Sequence, residues 1–321
     1  MLKTLSPPDL PLNVLERFAL AAYGLEGRWT RLDGERDQNF RVETAKGARF
    51  VFKVCHPAEG LDVLTAQAEA LEHIAATDPS LPVPRLLRSK HGELLPQLEH
   101  DRSDYPVMLL SWLEGGIVGD ADLSRLAYRE LGKLLARLGH AMRGFVHAAP
   151  AGRDLVWDTR QVLRLEPQVN ELAEQDRDLA SDTLARHRDV TIPAMRRMRS
   201  QIIHGDVHPY NALLGPDGLV SGIIDFGDMV HGALILDLAN AVGDFLKPGI
   251  DVEAMIFEMV RGYASVTPLE EEEADALLDL IEVRLLMTPL IDALKARNGI
   301  ASQGYFAEFN SRSMPMIRVL R

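Results

Sequence analysis

Cysteine is almost absent from this chain, since Cys55 is the only one among 321 residues. An internal disulfide is therefore excluded, and a single cysteine suits a reducing cytoplasm. Cys55 directly follows a strand-like run, so we interpret it as a buried, inert thiol rather than a nucleophile. No apolar run approaches the length of a membrane span, and the N-terminal stretch lacks the apolar core of a signal peptide. We therefore expect a cytoplasmic protein with no membrane segment.

Positive charge is also scarce relative to negative charge. Lysine and arginine total 35 residues against 47 aspartates and glutamates, giving a formal net charge of −12 and a pI near 5.3. Nucleic acid or an acidic membrane is therefore not expected as the main partner. A cationic small substrate is compatible with this balance. The sequence leaves the oligomeric state open, a homodimer included.

The hydrophobic patterns predict two lobes of different composition. A helix over NVLERFALAAYGL precedes three short segments rich in aromatic and β-branched residues, WTRL, NFRVET and ARFVFKVC, which indicate an antiparallel meander. From about Asp120 the chain has the periodicity of amphipathic helices, and residues 201 to 228 supply the only later strands that we expect. From GALILDLANAV onward we expect helices alone. We therefore predict an α+β fold with a β-rich N-terminal lobe over 1–113 and a mainly helical C-terminal lobe over 114–321.

Polar side chains with a characteristic spacing lie among the strand-like runs of residues 201 to 228. HGDVHPYN contains a His, an Asp two residues later and an Asn five residues after that Asp, and DFG begins 19 residues after the Asp. This order is typical of a kinase catalytic centre. Phosphoryl transfer needs a carboxylate that accepts the proton of the attacking hydroxyl, and carboxylate or amide oxygens that hold Mg²⁺ against nucleotide phosphates. Asp206, Asn211 and Asp225 are the candidates for these roles.

Two other interpretations compete with this one. In the first, the alternating His204, Asp206 and His208 are metal ligands, which leaves Asn211 and the downstream IIDFG unexplained. In the second, the acids are turn residues next to strands, since PYN and GPDG are turn-forming sequences. Asp225, however, directly follows an apolar run.

A lysine upstream of this stretch provides an independent signal. Alternation along ARFVFKVC places Lys53 and Cys55 on one side of a strand and Phe52 and Val54 on the other. A lysine in a strand is usually an exposed edge residue. A kinase, however, needs a lysine on its third strand to reach the nucleotide phosphates. Lys53 precedes the catalytic-loop pattern in the right order, so we assign it this role.

These segments together resemble the aminoglycoside phosphotransferase and choline kinase group of kinase-like enzymes, and most of all its hydroxylysine kinase branch. The resemblance extends over nearly the full chain and implies a protein-kinase-like fold with two lobes. Its motifs are specific for fold and reaction, and much less so for the substrate. The matching segments are GERDQNFRV (34–42), FVFKV (50–54), AQAEALEHIA (66–75), RDLVWD (153–158), HGDVHPYNALL (204–214), IIDFGDM (224–229) and the acid of LDLAN, Asp237.

The resemblance implies a role for each matched catalytic residue. Asp206 would orient and deprotonate the substrate hydroxyl, and Lys53 would hold nucleotide phosphates. Asn211 and Asp225 would bind Mg²⁺.

Further residues would support the site or bind the nucleotide base. The backbone around Leu110 to Trp112 would meet the base at the hinge between the lobes. His204 and Asp237 would brace the catalytic loop, since a loop that carries chemistry needs supporting hydrogen bonds.

Two features depart from the pattern of the resembling enzymes. LDGERDQNF has a single glycine, Gly34, so residues 35–39 are expected to cover the phosphates in place of a glycine-rich loop. Many relatives also have a glutamate on the next helix that pairs with the lysine, whereas Gln67 occupies that position here, and Glu69 points elsewhere on a helix. Gln67 could hydrogen-bond Lys53, but less strongly than a carboxylate would.

Three further residues are candidates for substrate contacts. Asp228 would bind a substrate ammonium group or a second metal, or would be a capping acid in a turn. Trp157 would line the substrate pocket or simply pack in the core. Arg284 is an isolated charge on an apolar helix, where it would bind a substrate carboxylate or, as we favour, pair with a neighbouring acid.

These expectations combine into one functional hypothesis with several alternatives. We expect a Mg²⁺-dependent small-molecule kinase that uses ATP or GTP and phosphorylates a hydroxyl of a cationic or zwitterionic metabolite. Hydroxylysine is the first candidate acceptor, followed by homoserine, choline-type alcohols and aminoglycosides. A protein kinase is disfavoured, because no APE-like segment follows DFGD. The alternative from another class is a nucleotide-binding pseudokinase, which Gln67 favours and the complete set of chemical residues disfavours.

Overall fold

In the computed structural model, which describes residues 6–300 and 305–321, the predicted meander forms an antiparallel sheet. The strand order is β1–β2–β3–β6–β4, and β5 also pairs with β6. The strands are β1 (Arg28–Leu32), β2 (Gln38–Glu43), β3 (Arg49–Val54), β4 (Leu86–Leu87), β5 (Gln97–His100) and β6 (Ser103–Ser111).

Successive side chains of β3 point to opposite faces of the sheet, and each face packs against one helix. Phe52 and Val54 are fully buried in a cluster with α1 (Leu12–Tyr23). The opposite face, which includes Cys55, packs against α2 (Leu61–Thr77). Cys55 is a buried free thiol, and burial raises its pKa above the usual range, which is typical of an inert thiol.

The remaining helices belong to a second body, in which α8 lies against α6 and α9. A 3₁₀ helix spans Thr159–Glu171, and a π-helical turn spans His187–Thr191 between α4 and α5. The helices are α3 (Arg125–Ala141), α4 (Glu174–Arg186), α5 (Ile192–Met195), α6 (Ile235–Phe245), α7 (Val252–Ala264), α8 (Glu271–Arg297) and α9 (Tyr305–Leu320). None of the helices within the described ranges has the length and apolar character needed to cross a membrane.

The second body also contains short strands, one of which the sequence pattern did not predict. They are β7 (Gly116–Ile117), β8 (Ser200–Ile203), β9 (Ala212–Leu214), the first two residues of β10 (Val220–Ile223), and β11 (Val230–Ala233). We expected helix from Gly232 onward, and this expectation was wrong, because β11 pairs antiparallel with β8 and α6 begins at Ile235. Val230 and Gly232 are buried while His231 is exposed, but Ala233 is also buried, so the alternation was too short to outweigh the apolar run after it.

The chain divides into two compact units. The first contains the sheet, α1, α2 and residues up to Glu114, together with Gly222–Gly227. The second contains Gly115–Ser221 and the chain from Asp228 onward. The short segment joins the first unit partly through a hydrogen bond from the Ile223 N–H to the Pro82 carbonyl, 3.1 Å long. The lobe bounds of 1–113 and 114–321 stay a prediction.

His187 is a buried imidazole in the π-helical turn. Its side chain is fully buried, and neither ring nitrogen has a hydrogen-bond partner within the described part of the chain. Burial lowers the pKa of His187 from 6.5 to about 4, against the opposing effect of Asp279. The folded protein therefore holds this ring neutral at a pH where the unfolded chain already binds a proton.

We expect His187→Leu to remove an acid-induced loss of stability. As the pH falls from 6.5 to 4, the unfolded state of the wild type gains a proton that the folded state excludes. This lowers the free energy of unfolding by about 1.4 kcal/mol per pH unit, or about 3 kcal/mol in total. Urea unfolding of both proteins over this pH range measures the difference. His231→Leu, at an exposed histidine, is the matched control, and parallel curves for His187→Leu and wild type would refute the assignment.

Candidate active site

The segment between β8 and β9 forms a loop that consists of HGDVHPYN, residues 204–211. Gly205 has a φ of +81°, and a Cβ at this position would lie 2.9 Å from the Asp228 carbonyl oxygen. A side chain here would therefore be strained twice, by conformation and by contact with backbone. Glycine allows the chain to turn sharply after β8 and place Asp206 at the head of the loop.

One face of α6 holds the backbone of this loop. The carboxylate of Asp237 accepts the N–H groups of His204 and Gly205, at 3.2 and 2.7 Å. The Asn240 amide donates to the Gly205 carbonyl, at 3.0 Å. His204 is buried and accepts the Asp206 N–H at Nδ1, at 3.3 Å. Burial raises the pKa of Asp237, although the two N–H groups that it accepts oppose this. The loop conformation is thus fixed by buried hydrogen bonds, which are costly to lose.

Both carboxylate oxygens of Asp206 have partners. Oδ1 accepts from Nη2 of Arg284, at 3.1 Å, and Oδ2 lies 3.4 Å from Nε2 of His208. The Asn211 amide nitrogen donates to Oδ2 at 3.2 Å and to the Asp206 carbonyl at 3.0 Å. The Asp206 side chain is 20% exposed, so the carboxylate is held in place and still open on one side.

Arg284 connects this loop to the helices behind it. Its side chain is 6% exposed and forms an ion pair with Asp244 of α6, with Nη2–Oδ2 at 2.7 Å and Nε within 3.1 Å of both carboxylate oxygens. Nη1 donates to the carbonyl of Trp157, at 3.2 Å. Burial lowers the pKa of Arg284, but Asp244 and then Asp206 outweigh it, so the group stays charged. This agrees with the ion-pair interpretation of Arg284.

The charges around Asp206 keep it ionised. Burial raises its pKa, but His208 and then Arg284 outweigh burial and hold the pKa well below the usual range of a carboxyl. Burial also lowers the pKa of His208, and Asp206 outweighs this and raises it. The site therefore contains a carboxylate that is deprotonated at neutral pH and restricted in orientation.

A pocket opens beside the carboxylate of Asp206. Trp157 and Asp228, both predicted substrate contacts, line it together with Asp206. Asp228 lies 3.9 Å from Arg153, and Lys295 lies over the Trp157 ring with Nζ 5.5 Å from its centre. The other lining residues are Leu155, Asp158, Thr159, Ile203, Gly205, Val230, Leu236 and Asn240. Of the three acids that line it, Asp158 pairs with Arg160 at 2.5 Å and Asp206 with Arg284 at 3.1 Å, so the carboxylate of Asp228 has the most distant cationic partner.

In the first unit, Lys53 is paired with an acid that the sequence pattern did not single out. Its Nζ lies 2.8 Å from Oδ2 of Asp37, on the connection between β1 and β2. Burial lowers the pKa of Lys53, but Asp37 and then Asp225 outweigh it and raise the pKa above its usual value. Asp225 is exposed, has a φ of +62° and accepts the Gly227 N–H, at 2.9 Å. Lys53 and Asp225 thus lie close enough to interact electrostatically.

The other nucleotide-site candidates lie in the same unit. Gln67 is buried on α2. Leu110 is in β6, where it pairs with Val51 of β3. Trp112 follows β6, its N–H donates to the Arg49 carbonyl at 3.3 Å, and Arg41 lies 5.6 Å from the centre of its ring.

Sequence reasoning missed Asp37, Asp244 and Asn240. Asp237, Asn240 and Asp244 recur at intervals of three and four residues, which places them on one face of α6, and this was a usable signal. Asp37 lies in an irregular connection, so no periodicity points to it.

The oxygen atoms of Asn211 and Asp225 suit a hard divalent cation better than a metal ion that prefers histidine ligands. Within residues 6–300 and 305–321, no three His, Cys, Asp or Glu side chains group as a metal site would require. This gives no support to a metal held by His204, Asp206 and His208. Asn211 uses its amide nitrogen for Asp206, so the amide oxygen is the atom that a cation would bind. Asp225 offers an exposed carboxylate, and hard cations prefer such oxygens.

Comparison with known proteins shows which proteins the chain is similar to. Residues 28–269 match the model of a phosphotransferase enzyme family. The hydroxylysine kinase of Danio rerio is 27% identical over 297 residues, covering 87% of this chain and 82% of the relative. The homoserine kinase of Pseudomonas aeruginosa is 30% identical over 298 residues, covering 88% and 87%.

A solved structure with a similar fold supports the predicted fold class. It is an amicoumacin kinase in complex with AMP-PNP, Ca²⁺ and Ami, with a TM-score of 0.70 and 13% identity over 97% of this chain and 94% of that one. Together with the antiparallel sheets and the helical second unit, this confirms the predicted α+β, protein-kinase-like fold.

We expect Arg284→Met to lower the free energy of unfolding by about 3–5 kcal/mol, because it leaves the buried charges of Asp206 and Asp244 without their partner. Urea denaturation at neutral pH measures this loss. Arg188→Met, which removes an exposed pair with Glu166, is the control and should cost about 1 kcal/mol or less. Adding Asp244→Leu to Arg284→Met should recover part of the lost free energy of unfolding. Strictly additive losses from the two substitutions would contradict an ion-pair network that couples these residues.

Proposed function

The chain belongs to the phosphotransferase enzyme family, and from this premise we propose that it transfers the terminal phosphoryl group of ATP or GTP to the hydroxyl of a small hydroxy amino acid. Hydroxylysine is our first candidate acceptor. The observation that carries the proposal is the Asp206 carboxylate, which is ionised, fixed through both oxygens and adjacent to an acid-lined pocket. Such a group can orient a hydroxyl and accept its proton as the phosphoryl group is transferred.

The partners of Asp206 define how it would act. Arg284 and His208 restrict the rotation of the carboxylate, so an acceptor hydroxyl meets one fixed direction of approach. The depressed pKa keeps Asp206 as a hydrogen-bond acceptor at neutral pH. A base this weak takes the proton late, as the oxygen–phosphorus bond forms. This suits phosphoryl transfer, in which positioning and electrostatics dominate catalysis.

The donor half of the proposal rests on five residues and a metal ion. Lys53 would hold nucleotide phosphates, and the backbone at Leu110 and Trp112 would meet the base. The amide oxygen of Asn211 and the carboxylate of Asp225 would bind Mg²⁺. When bound, the ion would neutralise charge on the phosphates. Neither ATP nor GTP is favoured by the residues at the hinge.

The acceptor half rests on the pocket. Asp228 and Trp157 would contact the cationic part of the acceptor, since both line the pocket that Asp206 borders. Hydroxylysine and homoserine, named in two relatives, each combine a hydroxyl with an ammonium group. Homoserine is the second candidate, favoured by the relative with 30% identity.

We expect Asp206→Asn to lower kcat by about 10³-fold or more, because the amide cannot accept the hydroxyl proton, while nucleotide affinity stays within about threefold of wild type. A coupled assay of nucleoside diphosphate release, with Mg²⁺ and each of ATP and GTP, would test hydroxylysine, homoserine, choline, ethanolamine and aminoglycosides. Asp217→Asn, an exposed acid in the turn after β9, is a matched control and should behave as wild type. Nucleotide binding without turnover on any acceptor would instead indicate a pseudokinase.

We expect Asp228→Asn to raise the KM for the amino-containing acceptor about tenfold, with a smaller effect on the KM for the nucleotide, because it removes a carboxylate that would pair with the acceptor's ammonium group. The same assay, run at saturating nucleotide, measures both constants. An equal rise in both KM values would contradict an acceptor-specific role. The variant should also discriminate less than wild type between the acceptor and its deaminated analogue.

A further inference from the structure

The buried ammonium group of Lys53 requires a negative partner. Its side chain is 14% exposed, and that of Asp37 is 12% exposed, so their 2.8 Å contact is largely shielded from water. The other oxygen of Asp37 accepts the His56 N–H, at 2.9 Å, just after β3 ends. One carboxylate therefore fixes both the lysine and the backbone that follows its strand. A charge-assisted contact of this kind is stronger than a neutral hydrogen bond.

The helix that packs on the same side of the sheet does not supply this charge. Met108 pairs with Lys53 across β3 and β6, and it packs in one cluster with Cys55, Leu64 and Ala68. Gln67 lies on the buried side of α2 beside Leu64 and Ala68, and it is 4% exposed. A glutamate here would present a carboxylate toward this side of the sheet, whereas glutamine is neutral.

We propose that Asp37 is the positioning residue for Lys53 and takes the place of a glutamate on α2. The neutral Gln67 stands at the α2 position where that glutamate would be. The proposal rests on the proposed function in that Lys53 binds the donor nucleotide. Asp37 lies on the β1–β2 connection, whose neighbour Arg36 is paired with Glu59 of the 3₁₀ turn Pro57–Glu59, at 2.9 Å. The orientation of the lysine therefore depends on this connection rather than on the position of α2.

Asp37→Asn separates the charge from the structural contact. Asparagine keeps an oxygen that can accept the His56 N–H but loses the negative charge that faces Lys53. We expect the affinity for Mg²⁺–AMP-PNP or Mg²⁺–GMP-PNP, measured by calorimetric titration, to fall about 10- to 100-fold. Adding Gln67→Glu should restore affinity to within about threefold of wild type, because it returns a carboxylate from α2. Asp9→Asn, in an exposed pair with Arg31, is the matched control.

The outcomes separate this proposal from the proposed function. Affinity of Asp37→Asn within twofold of wild type, or a folded Asp37→Asn/Gln67→Glu protein with no recovery, would overturn the positioning role. A double-mutant cycle with Lys53→Gln provides a second test, since Asp37→Asn should cost no further affinity once the lysine is gone, and additive losses would overturn the proposal. Binding without turnover on any acceptor would count against the proposed function alone. Absence of nucleotide binding by wild type would overturn both.

Discussion

The ion pairs of the buried Arg284 help to determine the ionisation and orientation of the Asp206 carboxylate in the second unit. A carboxylate in a partly enclosed pocket would tend to take up a proton, because burial disfavours its charge. His208 and Arg284 prevent this for Asp206, and Asp244 forms the second ion pair of the guanidinium. Removing the arginine would leave both carboxylates without the cation that they share, in a region that water reaches poorly. The ionisation of the catalytic candidate is therefore inseparable from the packing of α8 against α6.

The same helix α6 positions the loop by hydrogen bonds as well as by charge. Asp237 and Asn240 bind the loop backbone, while Asp244 binds the arginine that holds the Asp206 side chain. Buried polar groups are costly when they lose a partner, so the folded state strongly favours this single loop conformation. Preorganisation of this kind reduces the movement needed when an acceptor binds.

The sequence predicted those features whose signals are local. The meander was predictable because each strand alternates and turn residues separate the strands. Asp206, Asn211 and Asp225 could be proposed as site residues because their spacing within one short stretch is characteristic, and their roles stay predictions. β11 was missed because burial alternates over only three of its residues before a longer apolar run begins. The partner of Arg284 was not identifiable, since Asp206 lies 78 residues away along the chain and only the packing of α8 brings them together. Asp37 was missed for a related reason, because an irregular connection carries no periodicity from which to infer what it contacts.

The saturation of Arg284 by protein groups also bears on how an acceptor would be recognised. Its Nε and Nη2 donate to Asp244 and Asp206, and its Nη1 donates to the Trp157 carbonyl, so most of its five N–H donors are engaged. Under the proposed function, a bidentate contact of this guanidinium with a substrate carboxylate would displace one of these partners, and Asp206 is the one that the proposal needs in its ionised form. The charge of Arg284 would then stabilise the Asp206 carboxylate, and recognition of the acceptor would fall to other residues that line the pocket. Asp228 and Trp157 line that pocket, and under the proposed function they would contact the amino end of the acceptor rather than its carboxylate.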